Sequence, residues 1–245
     1  MKAVALAIVL AAGLPASAAR LTITAEATYP AVMVVDGRVL GHAADKVHEI
    51  MRRAGIDYTL DVMPWKRAYI SARNQPDTCV FMTTRTPERE AQFRWVGPIS
   101  QADWVLYGRA GRDYGIKVLE DARPLRIGAY NGDIRGEHLA RLGFKVDFVQ
   151  NDESNPRKLM LDRIDLWVNS TRSSRPMLAR ADLADKIVPV LTFNNVRLYL
   201  ACNPATPAAL AERMDAALKA MVADGAYKAI EQKYEHLQIP ASARK

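Results

Sequence analysis

The sequence predicts an α/β chain folded into two lobes, with a hinge of two crossover strands and a cleft between the lobes. Three observations carry this. Strand and helix patterns alternate in two consecutive rounds of strand–helix–strand–helix–strand. No Gly/Ser-rich linker separates the rounds, and the connections, around 100–103 and 194–197, read as extended chain. The chain then ends in helical patterns with no third sheet, which sends those helices back onto the first lobe. The expected division is a first lobe of 20–100 and 197–245 and a second lobe of 101–196.

The first round opens with a strand over 21–25, followed by a helix over 43–53 that carries Val47, Ile50 and Met51 on one face. A strand over 58–62, a short helix over 65–73 and strands over 79–82 and 104–107 come next. The second round reads as a strand over 125–129, a helix around 134–142, a strand over 146–149, a helix over 155–161 and a strand over 165–168. Amphipathic helices over 206–222 and 227–234 complete the pattern.

Residues 1–19 read as a cleaved secretory signal. Lys2 supplies the positive start, 3–14 is apolar, and Ala16-Ser17-Ala18 is a small-x-small cleavage site with the cut after Ala18 or Ala19. The apolar run is shorter than the ~20 residues a membrane span needs. No cysteine adjoins the cut to take a lipid, and no later segment is long and apolar enough to span. The expectation is a soluble, monomeric periplasmic protein. A formal net charge of +7 would by itself suggest nucleic acid. Export and the dispersal of the 34 Lys and Arg argue against it. Lys66, Arg67, Arg85 and Arg89 adjoin candidate pocket residues, which fits an anionic small molecule better. Cys79 and Cys202 each lie in an apolar strand-like run. They bond in an oxidising compartment if those runs are neighbours and are two buried thiols if not, and both readings stay open.

The candidate site centres on Thr83-Thr84-Arg85-Thr86-Pro87-Glu88-Arg89, directly after the strand over 79–82. Open α/β sheets bind ligands past the carboxyl ends of their strands, and a guanidinium there is a planar fork matched to a carboxylate. Arg89 can equally begin a short surface helix with Thr86 as N-cap and Pro87 at its first position. Trp65, between Pro64 and Lys66-Arg67, either stacks on a ligand or packs in the core. Tyr29, in a Thr-Tyr-Pro turn, reads as a cleft residue, whereas Trp95 and Trp167 read as core. Catalytic signals are poor. His42, His48, His138 and His236 show no metal-ligand spacing, and neither His-Glu-x-x-His nor Gly-x-Ser-x-Gly occurs. Gly128, Gly132 and Gly136 form neither a dinucleotide fingerprint nor a P-loop. No enzyme activity and no cofactor is expected.

The ordered set of Tyr29, Gly41, Thr86-Pro87-Glu88-Arg89, the aromatic-Pro element over 93–98, Ile127-Gly128-Ala129-Tyr130-Asn131-Gly132, Arg163-Ile164-Asp165 and Ala223-Asp224-Gly225-Ala226-Tyr227 resembles the periplasmic solute-binding proteins of family 3, the polar amino-acid type. The resemblance covers essentially the whole mature chain and implies the type II periplasmic-binding-protein fold. It implies a small carboxylated ligand, lobe closure, and delivery to an ABC permease or signalling to a membrane sensor; a dehydratase on the same fold is a remoter alternative. By resemblance, Arg89 grips the ligand carboxylate and Thr84 adds a donor. Tyr29 and Glu26 stand beside the ligand, Trp65 packs on its body, and the amides of the loop from Asn131 to Ile134, at a helix N-terminus, complete the anion site. The chain departs from the family where amino-acid binders carry an aspartate for the ammonium: here Ser170 stands, flanked by Asn169 and Thr171. Asp133-Ile134 likewise replaces a pair of small hydroxyl residues, so Glu26 or Asp133 supplies the missing charge or the ligand has no α-ammonium.

Overall fold

The computed structural model describes residues 20–235; the signal sequence expected over 1–19, together with His236 and the rest of the tail, lies outside them. One sheet of eight strands runs through both lobes in the order β4-β1-β5-β10-β6-β9-β7-β8. Its strands are β1 (Leu21–Ala25), β4 (Tyr58–Val62), β5 (Thr78–Thr84), β6 (Arg94–Arg109), β7 (Arg126–Tyr130), β8 (Lys145–Val149), β9 (Leu166–Asn169) and β10 (Ile187–Cys202). Parallel pairing of β1 with β4 and β5 forms one end, and parallel pairing of β7 with β8 and β9 forms the other. Between them β6 and β10, each 16 residues long, pair antiparallel from Arg94↔Cys202 to Arg109↔Ile187. These are the crossover strands, and their register shifts three times along the ladder. A small hairpin of β2 (Met33–Val35) and β3 (Arg38–Leu40) stands apart from the sheet.

Helices cover the faces: α1 (His42–Ala54), α2 (Trp65–Asn74), α3 (Ile134–Arg141), α4 (Asn155–Met160), α5 (Thr171–Arg180), α6 (Ala208–Ala223) and α7 (Ala226–Glu235). The first-lobe core gathers Leu21, Ile23, Val47, Ile50, Met51 and Phe81 with Met214 and Met221 of α6, so the C-terminal helices do return to the first lobe. The second lobe has two cores, one around Leu106, Ile127 and Leu139 and one around Val105, Leu159 and Trp167. Gly41 enters α1 at φ 131, and a Cβ there would lie 2.3 Å from the Ala31 carbonyl oxygen, so only glycine fits.

Cys79 and Cys202 are directly paired on β5 and β10 and form a disulfide. Three elements differ from the sequence expectation. The strand expected over 104–107 is the far half of a 16-residue strand, because Gly97 and Pro98 interrupt its apolar pattern without ending it. The β2–β3 hairpin carries exposed Val34 and Val35 and so lacks the alternation that would announce it. Helix α5 was not expected, since Thr171-Arg172-Ser173-Ser174-Arg175-Pro176 is polar and contains proline; Ser170 caps it by accepting from the Ser173 amide.

Candidate functional site

A cleft of about 690 Å³ lies between the lobes. On the first-lobe side, the end of β5 is bent into it: Met82 adopts φ 64, the left-handed region, and the β5–β10 register shifts between Tyr199 and Ala201. Thr84, the last residue of β5, is buried and lines the cleft. A 3₁₀ turn, Pro87–Gln92, then carries Arg89 inward. Thr86 takes the N-cap position with extended backbone but makes no side-chain cap bond.

Arg89 is only 6% exposed, and its Nη1 is buried without a hydrogen-bond partner. Its guanidinium stacks 4.7 Å from the Tyr69 ring centroid. Burial lowers its pKa, yet an arginine keeps its charge. A buried guanidinium with an unmet donor, against a cleft, is chemically able to take an anion. Its neighbour Arg85 turns outward and binds Glu90 at 2.7 and 2.5 Å.

Glu26, Tyr29 and Trp65 all line the same cleft. Glu26 follows β1, and its carboxylate accepts from the Trp65 amide at 3.4 Å and from the Tyr130 hydroxyl at 3.3 Å. Burial raises its pKa to about 7, outweighing these bonds and the Arg135 charge. Trp65 opens α2; its ring lies 5.9 Å from that of Tyr69, and its Nε1 donates 3.0 Å to the Gly132 carbonyl of the second lobe. The indole joins the aromatic packing under α2 and also faces the cleft. Tyr130 to Glu26 and Trp65 to Gly132 are thus bonds between the lobes across the cleft.

The second-lobe wall is a connected polar network. Asp133 caps α3: its Oδ1 accepts from the Arg135 amide at 3.0 Å and from Arg135 Nε at 2.8 Å. Arg135 Nη1 donates to Asn169 Oδ1 at 2.7 Å, and Asn169 Nδ2 donates to Asp152 at 3.0 Å. Asp152 also accepts from the Trp167 indole and from Asn155, each at 2.8 Å. Its burial raises the carboxyl to about pKa 6, against the pull of Arg135. For Arg135, burial works against the charge, but Asp133, Tyr130 and Asp152 overcome it and raise the pKa. Ser170 lines the cleft and is spent on the α5 cap and on a 2.6 Å bond to Ser173.

The structure brings Arg89, Thr84, Trp65, Tyr29, Glu26, Asp133 and Ser170 to one cleft. Asn131 is the exception: it is exposed, its amide donates to Val149, and it stands outside the cleft lining, because the turn points it to solvent. Of the loop amides expected to meet a ligand anion, those of Asn131 and Asp133 donate to the Val149 and Tyr130 carbonyls, and the Asp133 side chain takes the Arg135 amide of α3. Sequence reasoning missed Arg135, Asp152, Asn169 and Trp104, all in the cleft lining. The polar residues past β7, β8 and β9 were a usable signal, since strand ends in an α/β sheet converge. Trp104 was hidden in a strand that looked like core. The glycine spacing also acquires a meaning. A Cβ at Gly136 would sit 2.5 Å from Ala129 Cβ, so this glycine seats α3 against the sheet and sets where Asp133 stands. Among the described residues no group of His, Cys, Asp and Glu could hold a metal ion, and no helix is long and apolar enough to cross a membrane.

Two α/β lobes joined by paired crossover strands, with a charged cleft between them, define the class of two-lobed periplasmic-binding folds. The chain belongs to the bacterial extracellular solute-binding proteins, family 3, whose model matches residues 21–236. Solved structures share the fold at low identity. A histidine kinase sensor domain with similarity to periplasmic binding proteins superposes with TM-score 0.80 at 18% identity, over 90% of this chain and 97% of that one. An ancestral arginine-binding protein bound to arginine gives 0.75 at 22% identity, over 88% and 98%. The arginine-, lysine-, histidine-binding protein ArtJ of Geobacillus stearothermophilus gives 0.75 at 18%, over 92% and 98%. A comparison with curated proteins yields no match.

Proposed function

We propose that this chain is a periplasmic binding protein that captures a small carboxylated solute by lobe closure and delivers it to an ABC permease. The observation that carries the proposal is Arg89, a guanidinium buried in the cleft with Nη1 unpaired. An unpaired buried donor is costly in the empty protein, and a carboxylate removes that cost on binding. Thr84 and Tyr29 complete the first-lobe half, and Trp65 covers the solute. Closure is supported by the bonds from Trp65 to Gly132 and from Tyr130 to Glu26, which can form only when the lobes meet. The hinge lies where β6 and β10 pass between lobes, and we place the lobe boundaries at 100/101 and 196/197. The family is one of solute-binding proteins, which supports capture rather than turnover.

A thermal-shift screen over amino acids, polyamines, organic acids and short peptides tests the proposal. A ligand at 100 times its Kd adds about 2.7 kcal/mol of stability. The carboxylated members should raise the melting temperature, whereas a response confined to polyamines would overturn the carboxylate assignment. Loss of uptake of the hit compound in a deletion strain supports delivery to a permease. A second reading, a sensory subunit, is favoured by the similarity to a histidine kinase sensor domain. Intact uptake with a lost cellular response would select it.

A further inference from the structure

We propose that Arg172 is a latch that ties the second lobe to the first at the flank of the cleft, docking on His42 and Glu231, and that it engages only while the His42 ring is neutral. The inference rests on the lobe-closure part of the proposed function and goes beyond it, since it requires no particular solute. Arg172 stands at the start of α5, where the Thr171 amide and hydroxyl donate to the Asp103 carboxylate of β6 at 3.0 and 2.5 Å. From there its Nη1 reaches His42 Nε2 at 2.5 Å and Glu231 Oε2 at 3.6 Å. Both partners belong to the first lobe: His42 opens α1, and Glu231 lies on α7. His42 is 1% exposed, and Lys46, one turn further along α1, is fully buried. Lys46 Nζ donates to Glu231 and, at 2.8 Å, to the Ile99 carbonyl of β6, and it lies 3.7 Å from the Tyr227 ring centroid. The first lobe thus holds a fixed receptor, and Arg172, partly exposed, reaches it from the other side. Arg172 lines both the solute cleft and a neighbouring cavity of about 940 Å³, so release of the latch opens one flank of the cleft.

Protonation decides whether the contact forms. A guanidinium only donates, so His42 Nε2 must accept, and the neutral ring then carries its proton on Nδ1. That nitrogen is buried without a hydrogen-bond partner, 3.7 Å from Glu231 Oε1. A second proton would set a donor against a donor at Nε2 and add a third positive charge beside Lys46 and Arg172. Glu231 is the acid these groups share. Asp45 of α1 is engaged by Lys233 and Tyr234. The flank cavity is also lined by Tyr29, by Asp103 of β6, by Arg175 of α5 and by Lys228 of α7, so its rim adds two cations and one acid. Burial and then the Arg172 charge lower the ring's pKa from 6.5 to about 3, against the pull of Glu231. Burial opposes the Glu231 charge, but Lys46 outweighs it and holds that carboxyl below its ordinary range. Opening takes Arg172 away and admits water, and both return the ring towards 6.5. The neutral ring therefore belongs to the closed form, and acid favours the open form, by up to about 30-fold at pH 5.

Small-angle scattering of the purified, ligand-free protein at pH 8 and pH 5 provides the test. The parent should be compact at pH 8 and expand at pH 5, whereas Arg172→Ala should be expanded at both. His42→Gln keeps an acceptor for Arg172 and cannot titrate, so it should stay compact at both; His42→Asn is the shorter alternative. A parent profile that does not change with pH overturns the His42 gate. Expansion of equal size in the parent and in both His42 variants does so too, since Glu26 or Asp152 would then carry it. If neither amide variant folds or closes, nitrogen NMR of the parent decides: a neutral His42 ring protonated on Nδ1 is expected at pH 8, and the other tautomer or a charged ring overturns the proposal. Trp65→Phe separates the latch from closure itself. Expansion of that variant with none in Arg172→Ala overturns the latch and leaves closure standing, and expansion in neither overturns both.

Discussion

The indole of Trp65 and the carbonyl of Gly132 meet across the cleft, the first at the start of α2 in one lobe and the second in the turn after β7 in the other. This 3.0 Å bond is made by a side chain that also forms the cleft wall, so one residue both contacts the space a solute occupies and ties the lobes together. On the proposed function, closure and contact with the solute are coupled through Trp65.

Trp65→Phe keeps the aromatic surface and deletes the donor. The closed form should lose about 1 kcal/mol, the net worth of one hydrogen bond, which makes it roughly fivefold less favoured. Small-angle scattering of the ligand-free protein should show a larger radius of gyration than the parent, and the ligand-induced tryptophan fluorescence change should shrink. An unaltered signal and profile would assign the indole to packing alone.

Arg89→Ala should weaken binding of the solute found by screening by about 2–5 kcal/mol, as for truncation of a buried charge pair. Arg89→Lys should fall between, since an ammonium keeps the charge and loses the planar fork. Titration calorimetry reads both, and parent-like affinity in the alanine variant would remove Arg89 from the site.

Glu26 sets a pH dependence of stability. Its carboxyl titrates at about 7 in the folded protein against 4.5 as the ordinary value. The folded state therefore holds a proton that the unfolded state releases between those values, and stability falls as pH rises through that window. Glu26→Gln removes the contribution: the variant should match the parent near pH 4 and exceed it by up to about 3 kcal/mol near pH 8. Asp152 shifts in the same direction but is common to both proteins, so the difference isolates Glu26. Denaturant midpoints across this range provide the measurement; a constant offset would show that Glu26 does not titrate there.

The Cys79–Cys202 disulfide closes a separation of 123 residues between neighbouring strands of the first lobe. Chain-entropy arguments assign a loop of that length about 5 kcal/mol, and native bridges are typically worth 2–5. Replacing both cysteines with serine should lower the unfolding free energy in that range, with ligand affinity nearly unchanged because neither cysteine lines the cleft. A loss of affinity as large as the loss of stability would mean that the bridge also positions β5 at the site.

The sequence by itself determined the two α/β rounds, the return of the C-terminal helices and the position of the arginine turn after β5. Those features are local: periodicity, helix boundaries and the place of a turn are written within a few residues of one another. It left the cysteines open, because bonding depends on two runs becoming adjacent strands. It did not anticipate α5, whose polar residues and proline hide a helix held by its Ser170 cap and its place beside β6. The tertiary structure alone decided the second-lobe wall. Asp133, Arg135, Asp152 and Asn169 come from three separate strand ends; the sequence singled out Asp133, whereas Arg135 and Asp152 look like ordinary surface polar residues in their own segments. Only the parallel pairing of β7 with β8 and β9 brings those ends together. Once converged and buried, they exchange solvent for one another, and that exchange depends on residues far apart in the sequence.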